Sequence, residues 1–405
     1  MTSPQQPQEQ PAGAPALSTT LLAALALLSA AGPLGTDMYL PTLVRMAEEL
    51  HTTSSMTQFT LSAFMIGMAV GQLLIGPLSD SYGRRRLLIG GSVVFFLTSA
   101  AAVFANSIGL VIGLRFLMGA AGGTGSVLSR AIIPDLAHGR AAARGFSVMM
   151  AIQGFAPVLA PILGGLLAEP IGWRGIFAVL AGFNLLMVAA AVLMVPESLP
   201  AARRAPGGLR RLFPSIAMIS RRRIYIGHAL TMAVMFGVMF SYISASPFVL
   251  QRQLGLRSTM YSLAFAANAV MVTLASILNT RFIKHFSLRG IVRTGLTLGF
   301  VGSVGLVLNG LFGPWLWVTL PLLSVTVFGL GLVMGNATAL GAAQVRDAAG
   351  AGSAMMGALQ FLVAGVVSPL VGLGSNPALT MAVVMLVCAV LANAAHYLVA
   401  RPTSE

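Results

Sequence analysis

Two ionisable residues stand inside otherwise apolar runs, and the chemistry open to them is narrow. Asp37 lies in LGTDMYLP (34–41), near the end of a stretch that has been almost entirely apolar since Leu21, and Arg115 lies in GLRFLMGAAGGTG (113–125). A charge at the centre of a membrane helix costs about 2.5 to 3.5 kcal/mol on insertion scales, so such a residue is a functional candidate whose partner must be named. Desolvation favours a neutral carboxyl and a nearby cation favours the carboxylate. An aspartate with a movable arginine partner is therefore a device for loading and releasing a proton. Competing chemistries lack their residues. No GxSxG, GxxxxGK[ST] or HExxH occurs, and His51, His138, His228, His285 and His396 are scattered without metal-ligand spacing. The single cysteine, Cys388, excludes an intrachain disulfide and any CxxC site. An enzyme, an ATP-driven pump and a metal or organic cofactor are not expected. A passive scaffold has no use for the embedded Asp and Arg.

The elements that must position these two residues are membrane helices. Of the 405 residues 57% are hydrophobic and 8% charged, against about 25% charged in a soluble domain. The net charge of +14 comes in short clusters between apolar runs. That is the distribution of cytoplasmic flanks of membrane helices rather than of a nucleic-acid-binding face. Residues 1–16, rich in Pro, Gln and Ala, read as a disordered cytoplasmic tail and not a signal peptide.

Windows of about 20 apolar residues predict twelve spans. They cover 17–42, 54–79, 87–105, 109–131, 145–168, 172–195, 224–250, 260–282, 290–310, 315–340, 351–373 and 377–399. An all-α membrane protein of two six-helix bundles follows, 17–195 and 224–400, with a cytoplasmic linker at 196–223 holding seven arginines and a short tail at 401–405. Alternate loops carry 19 and four basic residues, and the richer side, with both termini, is expected to be cytoplasmic. Helix one then runs outward and helix four inward. Asp37 is expected about five residues from the outer end of its helix and Arg115 about six from its own, depths agreeing within about 2 Å at 1.5 Å per residue. They are expected partners across a cavity. A structural ion pair, or an aspartate merely near the interface, are the plainer readings. Two six-helix halves are the plan of a transporter that rocks about a central site. Glycines four apart in GMAVG (67–71), GAAGG (119–123), GLTLG (295–299) and GLVMG (331–335) predict close helix contact.

Three further stretches carry a resemblance. GPLSDSYGRRR, from Gly76, places Asp80 beside Arg84, Arg85 and Arg86 in a tight loop, with Gly83 suited to a left-handed turn. It resembles the signature loop of the major facilitator superfamily. The resemblance implies a cytoplasmic latch in which Asp80 meets Arg130, at the end of helix four, and the start of helix eleven near Ala351, where an anion suits the helix dipole. Ser81 departs from the basic residue many members carry there. RFLMGAAGG resembles the family's Arg-x-x-x-Gly element and implies proton coupling through Arg115. APVLAPILGG (156–165), with Pro157, Pro161, Gly164 and Gly165, resembles the antiporter motif that marks exporters, and Trp173-Arg174 fits the same group.

The whole is similar to the drug:proton antiporters of twelve helices, most closely the Bcr/CflA exporters of bicyclomycin and chloramphenicol. The specific motifs run from about residue 34 to 180; topology and composition carry the rest. The resemblance implies a monomer in a bacterial cytoplasmic membrane that exchanges protons for a small-molecule drug. A second acid, present in some relatives about two turns before Asp37, is replaced here by Ser29 and Ala30, which favours neutral, moderately lipophilic substrates. An exporter or importer of one metabolite, such as a sugar or amino acid, stays open as the alternative. Tyr39, Gln153, His228, Tyr242, Asn268, Asn336 and Gln360 are candidates for the cavity wall, each also explicable as an interhelical hydrogen bonder. The 22 methionines suit an adaptable apolar pocket.

Overall fold

A computed structural model describes residues 18–137, 139–204 and 208–401. Eleven helical stretches in it are long and apolar enough to cross a bilayer. The first four are Thr19–Glu49, Ser54–Tyr82, Arg84–Val103 and Ile108–Leu136. The fifth stretch, Gly139–Met194, has 56 residues. At 1.5 Å per residue it would run about 84 Å, far more than the ~30 Å of hydrocarbon. It breaks at Gly172, whose φ of 62° is one that glycine adopts freely, and so forms the fifth and sixth spans. Spans seven to twelve are Arg223–Gln253, Ser258–Phe282, Leu288–Leu311, Leu316–Ala342, Arg346–Leu370 and Pro377–Val399. Twelve crossings result, and no strand occurs among the described residues.

The first span departs from the single run expected over 17–42. It is built of Thr19–Ser29, Ala31–Asp37, a 3-10 turn at Leu40–Thr42 and Leu43–Glu49. Pro33 has no N–H to offer the preceding turn, which breaks the ladder near Ala30, and Pro41 starts the 3-10 turn. Asp37 therefore sits not five but about twelve residues before the end of its span, some 18 Å of helix. The stretch between the halves also contains a helix, Gly208–Ser220, that lies against the second, seventh and eleventh spans.

Lipid tails compete fully with apolar side chains, so spans associate where small residues let backbones meet. A Cβ on Gly119 would stand 2.0 Å from the Phe64 carbonyl and one on Gly67 2.2 Å from that of Phe116, which fixes the second span on the fourth. Gly295 and Gly329 do the same for the ninth and tenth. Gly335, from the GLVMG pair, packs on nothing within 4 Å. Large side chains such as Leu193, Phe104 and Trp317 point outward.

The halves meet chiefly through the second span on the eleventh and the fifth on the eighth. Their described direct hydrogen bonds gather at the face away from the chain termini, called here the far face. The Gln58 amide donates to the Ser244 carbonyl at 3.1 Å, and Ser368 donates to the Gln58 carbonyl at 3.1 Å. Ser62 donates to the Gly365 carbonyl, Ser55 to that of Pro369, and Gln251 to that of Pro41. At the opposite, terminal face the described link is indirect: the Gly208 amide donates to Ser81, and Ser220 reaches the Met355 sulfur.

Candidate functional site

Asp37 ends the short helix Ala31–Asp37 and is 6% exposed, while Arg115, about two turns into the fourth span, is wholly buried. Close packing brings them to one level: a Cβ on Gly35 would press on Phe64 and Phe95, and the Arg115 Nη1 donates to the Gly35 carbonyl at 2.7 Å. The two interact electrostatically but not as a contact pair: among the described residues no ion pair joins Asp37 to Arg115. The guanidinium is held instead between two rings, 4.3 Å from the Tyr39 centroid and 4.2 Å from that of Phe64. Aromatic faces stabilise a desolvated cation by about 2 kcal/mol each. They do not satisfy its donors: Nε and Nη2 make no well-formed hydrogen bond, although the Tyr39 hydroxyl lies close enough to interact with the guanidinium. The Asp37 carboxyl likewise makes no described hydrogen bond. Two residues of helix separate it from the carbonyl that Arg115 holds, so an unpaired acid and an unpaired pair of donors stand at neighbouring positions.

The second half faces the same place. Asp37 lies within electrostatic reach of Arg115, Tyr39, Tyr242 and Tyr261. Tyr39 shares a hydrogen bond with Thr60, and the Tyr242 hydroxyl accepts from the Asn268 amide at 3.0 Å, whose oxygen accepts from Ser324. Tyr242 stacks on Phe265 and Tyr261 bonds Ser246. Three of the expected wall residues, Tyr39, Tyr242 and Asn268, are thus brought to Asp37; Tyr261 and Thr60 join them unforeseen, although each is a polar residue in an apolar span. The remaining four have no described contact with this centre. Gln153 accepts from Arg130, Asn336 pairs with Asn279, and Gln360, half-buried, makes no described hydrogen bond. His228 is buried 6.0 Å from His396, between the start of the seventh span and the end of the twelfth.

The glycines and prolines of the fifth span connect this centre to the seam. A Cβ on Gly164 would fall 1.9 Å from the Met38 carbonyl, the residue after Asp37, and one on Gly165 would fall 2.1 Å from Ser262 of the eighth span. Pro157 and Pro161 both lie inside this helix, Pro161 buried. Trp173 and Arg174 each donate to Glu49 and so pin the end of the first span.

At the terminal face the charged loop is organised within the first half. Gly83 has φ 99°, and a Cβ there would strike the Glu197 and Arg204 side chains. Arg84 is the hub: it donates to Asp80 at 2.5 Å, to Asp135 at 3.2 Å and to Ser79, and its amide donates to Glu197 at 2.9 Å. Arg85 donates to the Val192 carbonyl. The expected latch is not engaged: Asp80 bonds Arg84 and is 47% exposed, and Arg130 is on Gln153. Around Gly76 a Cβ would meet nothing within 4 Å. Asp135 and Glu197 were not foreseen; acids flanking a basic loop, in IIPD and VPES, were the available signal.

Comparison with known proteins accords with this geometry. The model of the Major Facilitator Superfamily matches residues 25–369. The uncharacterized MFS-type transporter YdgK of Bacillus subtilis is 32% identical, with 92% of this chain and 93% of that one covered. The bicyclomycin resistance protein homolog of Haemophilus influenzae is 29% identical over 92% and 94%, and the chloramphenicol resistance protein of Pseudomonas aeruginosa 28% over 68% and 65%. Among solved structures, a bacterial homolog of the human lysosomal transporter Spinster superposes with TM-score 0.73 at 15% identity, covering 93% of this chain and 94% of that one. The D-xylose-proton symporter gives 0.67 at 18%, over 93% and 97%. This multi-pass membrane protein is a transporter of the major facilitator superfamily, with relatives consistent with its Bcr/CflA-like drug-exporter branch.

Proposed function

We propose that the protein exports neutral, lipophilic drugs of the bicyclomycin or chloramphenicol type in exchange for protons, by alternating access. On this reading the terminal face, which carries most of the basic residues, lies in the cytoplasm, as such residues favour, and the seam described above is periplasmic. The conformation, with its halves bonded directly at the far face, is then the one open to the cytoplasm. The observation that carries the reading is the unpaired Asp37 beside the unpaired Nε and Nη2 of Arg115.

A drug entering from the cytoplasm packs against Tyr39, Tyr242 and Phe265, which are buried in this conformation and must part to admit it. Asp37, near its cation but not hydrogen-bonded to it, holds a proton at its carboxyl. Closing over the drug turns the first span against the fourth and lets the free Arg115 donors reach the Asp37 oxygens, which favours the carboxylate and the loss of the proton. Each arrangement excludes the other, so drug and proton use the centre alternately. No cofactor is required; the proton gradient supplies the free energy. Purified protein in proteoliposomes tests this: an imposed pH gradient should drive chloramphenicol uphill. Movement that ignores the gradient would leave a passive carrier.

A further inference from the structure

The helix Gly208–Ser220 between the halves has two sides and spends only one of them on the protein. Leu212 and Ile219 are buried, and the chain is closely seated: a Cβ on Gly208 would fall 2.1 Å from the Pro77 carbonyl, and Ser220 reaches the Met355 sulfur. Arg210, Phe213, Pro214, Ala217 and Met218 recur at the spacing of the opposite helix side and are exposed, Phe213 to 66% and Met218 to 44%. Among the described residues nothing covers this apolar stripe. It is flanked by Arg210 and, just past the helix, by exposed Arg221, and neither joins an ion pair among the described residues. No acidic residue occurs between Glu197 and Asp347, and Asp347 is taken by Arg222. Pro77 and Met355 both lie inside the apolar runs 54–79 and 351–373, so the helix is level with the edge of the bilayer rather than beyond it. It packs chiefly on the second and eleventh spans and on the seventh, which it precedes. The fourth, fifth and eighth spans, which carry Arg115, Gly164 and Asn268, are not its main neighbours, which sets it on the flank of the molecule.

We infer that this side of the helix docks on anionic phospholipid at the terminal face. The stripe of Phe213, Pro214, Ala217 and Met218 enters the layer between headgroups and acyl chains, and Arg210 and Arg221 meet lipid phosphates. A helix with one apolar side and flanking cations lies in a membrane surface in this way. Each arginine near an anionic surface strengthens the hold about fivefold. A soluble protein partner would suit the apolar centre, but it would have to reach a face that is level with the bilayer edge. The inference needs the terminal face at a membrane surface, in whichever compartment, and takes nothing from the direction of transport.

The test uses the full chain in nanodiscs of mixed phosphatidylcholine and phosphatidylglycerol, with a fluorophore on one cysteine. Cys388→Ala removes the single native thiol. Ala217→Cys then labels the middle of the stripe, and Ala202→Cys, at an exposed position of the linker, is the aqueous reference. Brominated phosphatidylglycerol should quench the label at 217 about fivefold more than brominated phosphatidylcholine at the same mole fraction. Iodide should quench it several-fold less than the label at 202. Arg210→Gln with Arg221→Gln should bring the two lipids level, and Arg210→Lys with Arg221→Lys should keep the preference. Equal quenching by the two lipids with both arginines present, or a preference that survives the paired Gln change, overturns the anionic site. Free access of iodide to position 217 without quenching by either lipid overturns the docking and leaves the stripe to a soluble partner. No step reads transport, so failure of the export reading leaves this result standing.

Discussion

The far face and the terminal face are held by opposite chemistry. At the far face neutral groups cross between the halves, side-chain amides and hydroxyls donating to backbone carbonyls of Ser244, Gly365, Pro369 and Pro41. At the terminal face the bonds are charged, and those at the signature loop stay inside the first half, with Arg84 bound to Asp80 and Asp135. A neutral hydrogen bond contributes about 0.5 to 1.5 kcal/mol net, so a seam of a few such bonds holds yet can open without exposing an unpaired charge. Asp80, half-exposed, can exchange Arg84 for another partner at little cost, because exposed ion pairs are worth at most about 1 kcal/mol. One face is made to part and the other to re-pair.

Substitutions at paired positions break this comparison most severely at the far face. Gly165→Val drives a side chain into Ser262 and Ser258, where overpacking costs about 1 to 3 kcal/mol or more. Distances between spin labels on the fifth and eighth spans should lengthen at the far face, and export should fall at least tenfold. Gly76→Val meets open space in this conformation. Its thermal unfolding should stay within about 0.5 kcal/mol of the wild type, while export is still lost because the terminal face cannot close. If both variants shorten or lengthen the same distances, the two faces do not alternate.

Arg84→Ala should come next, at about 2 kcal/mol. It strips Asp135 of a cation at a site only 12% exposed on the arginine side, although screening keeps the cost below that of a fully buried pair. Protease sensitivity of the 196–204 segment reads it. Asp80→Asn removes a single half-exposed contact and should change stability by no more than about 0.5 kcal/mol, yet slow turnover. Comparably small is Gln58→Leu, which loses one bond to Ser244 and relieves one orphaned acceptor. Its net effect, about 1 kcal/mol or less, should appear as a several-fold rise in the far-face-open population.

The twelve spans were legible because a bilayer requires about 20 apolar residues, whatever the neighbours. The close approaches at Gly67 and Gly119 were legible for a similar reason, since small residues four apart serve one purpose in lipid. What escaped was set between spans. Arg115 chose the Gly35 carbonyl and the rings of Tyr39 and Phe64 over Asp37, a choice of rotamer that depth along a helix does not encode. The estimate of depth itself moved, because Pro33 and Pro41 divide the first span and Leu43, Met46 and Ala47 continue it on a buried face. His228 looked like a cavity residue but meets His396 at the base of its bundle. Nothing in a linear reading links residues 168 positions apart, and the roles of Asp135 and Glu197 depend on contacts with Arg84 from 51 and 113 positions away.

The central claim is that Asp37 carries the coupled proton alone. Asp37→Asn keeps the shape of the buried centre and removes its titratable oxygen, so the variant should fold and bind drug. Reconstituted beside the wild type under an imposed pH gradient, it should move chloramphenicol only down its own gradient, with no dependence on pH. Uphill, pH-dependent transport by Asp37→Asn at the wild-type rate would contradict the account.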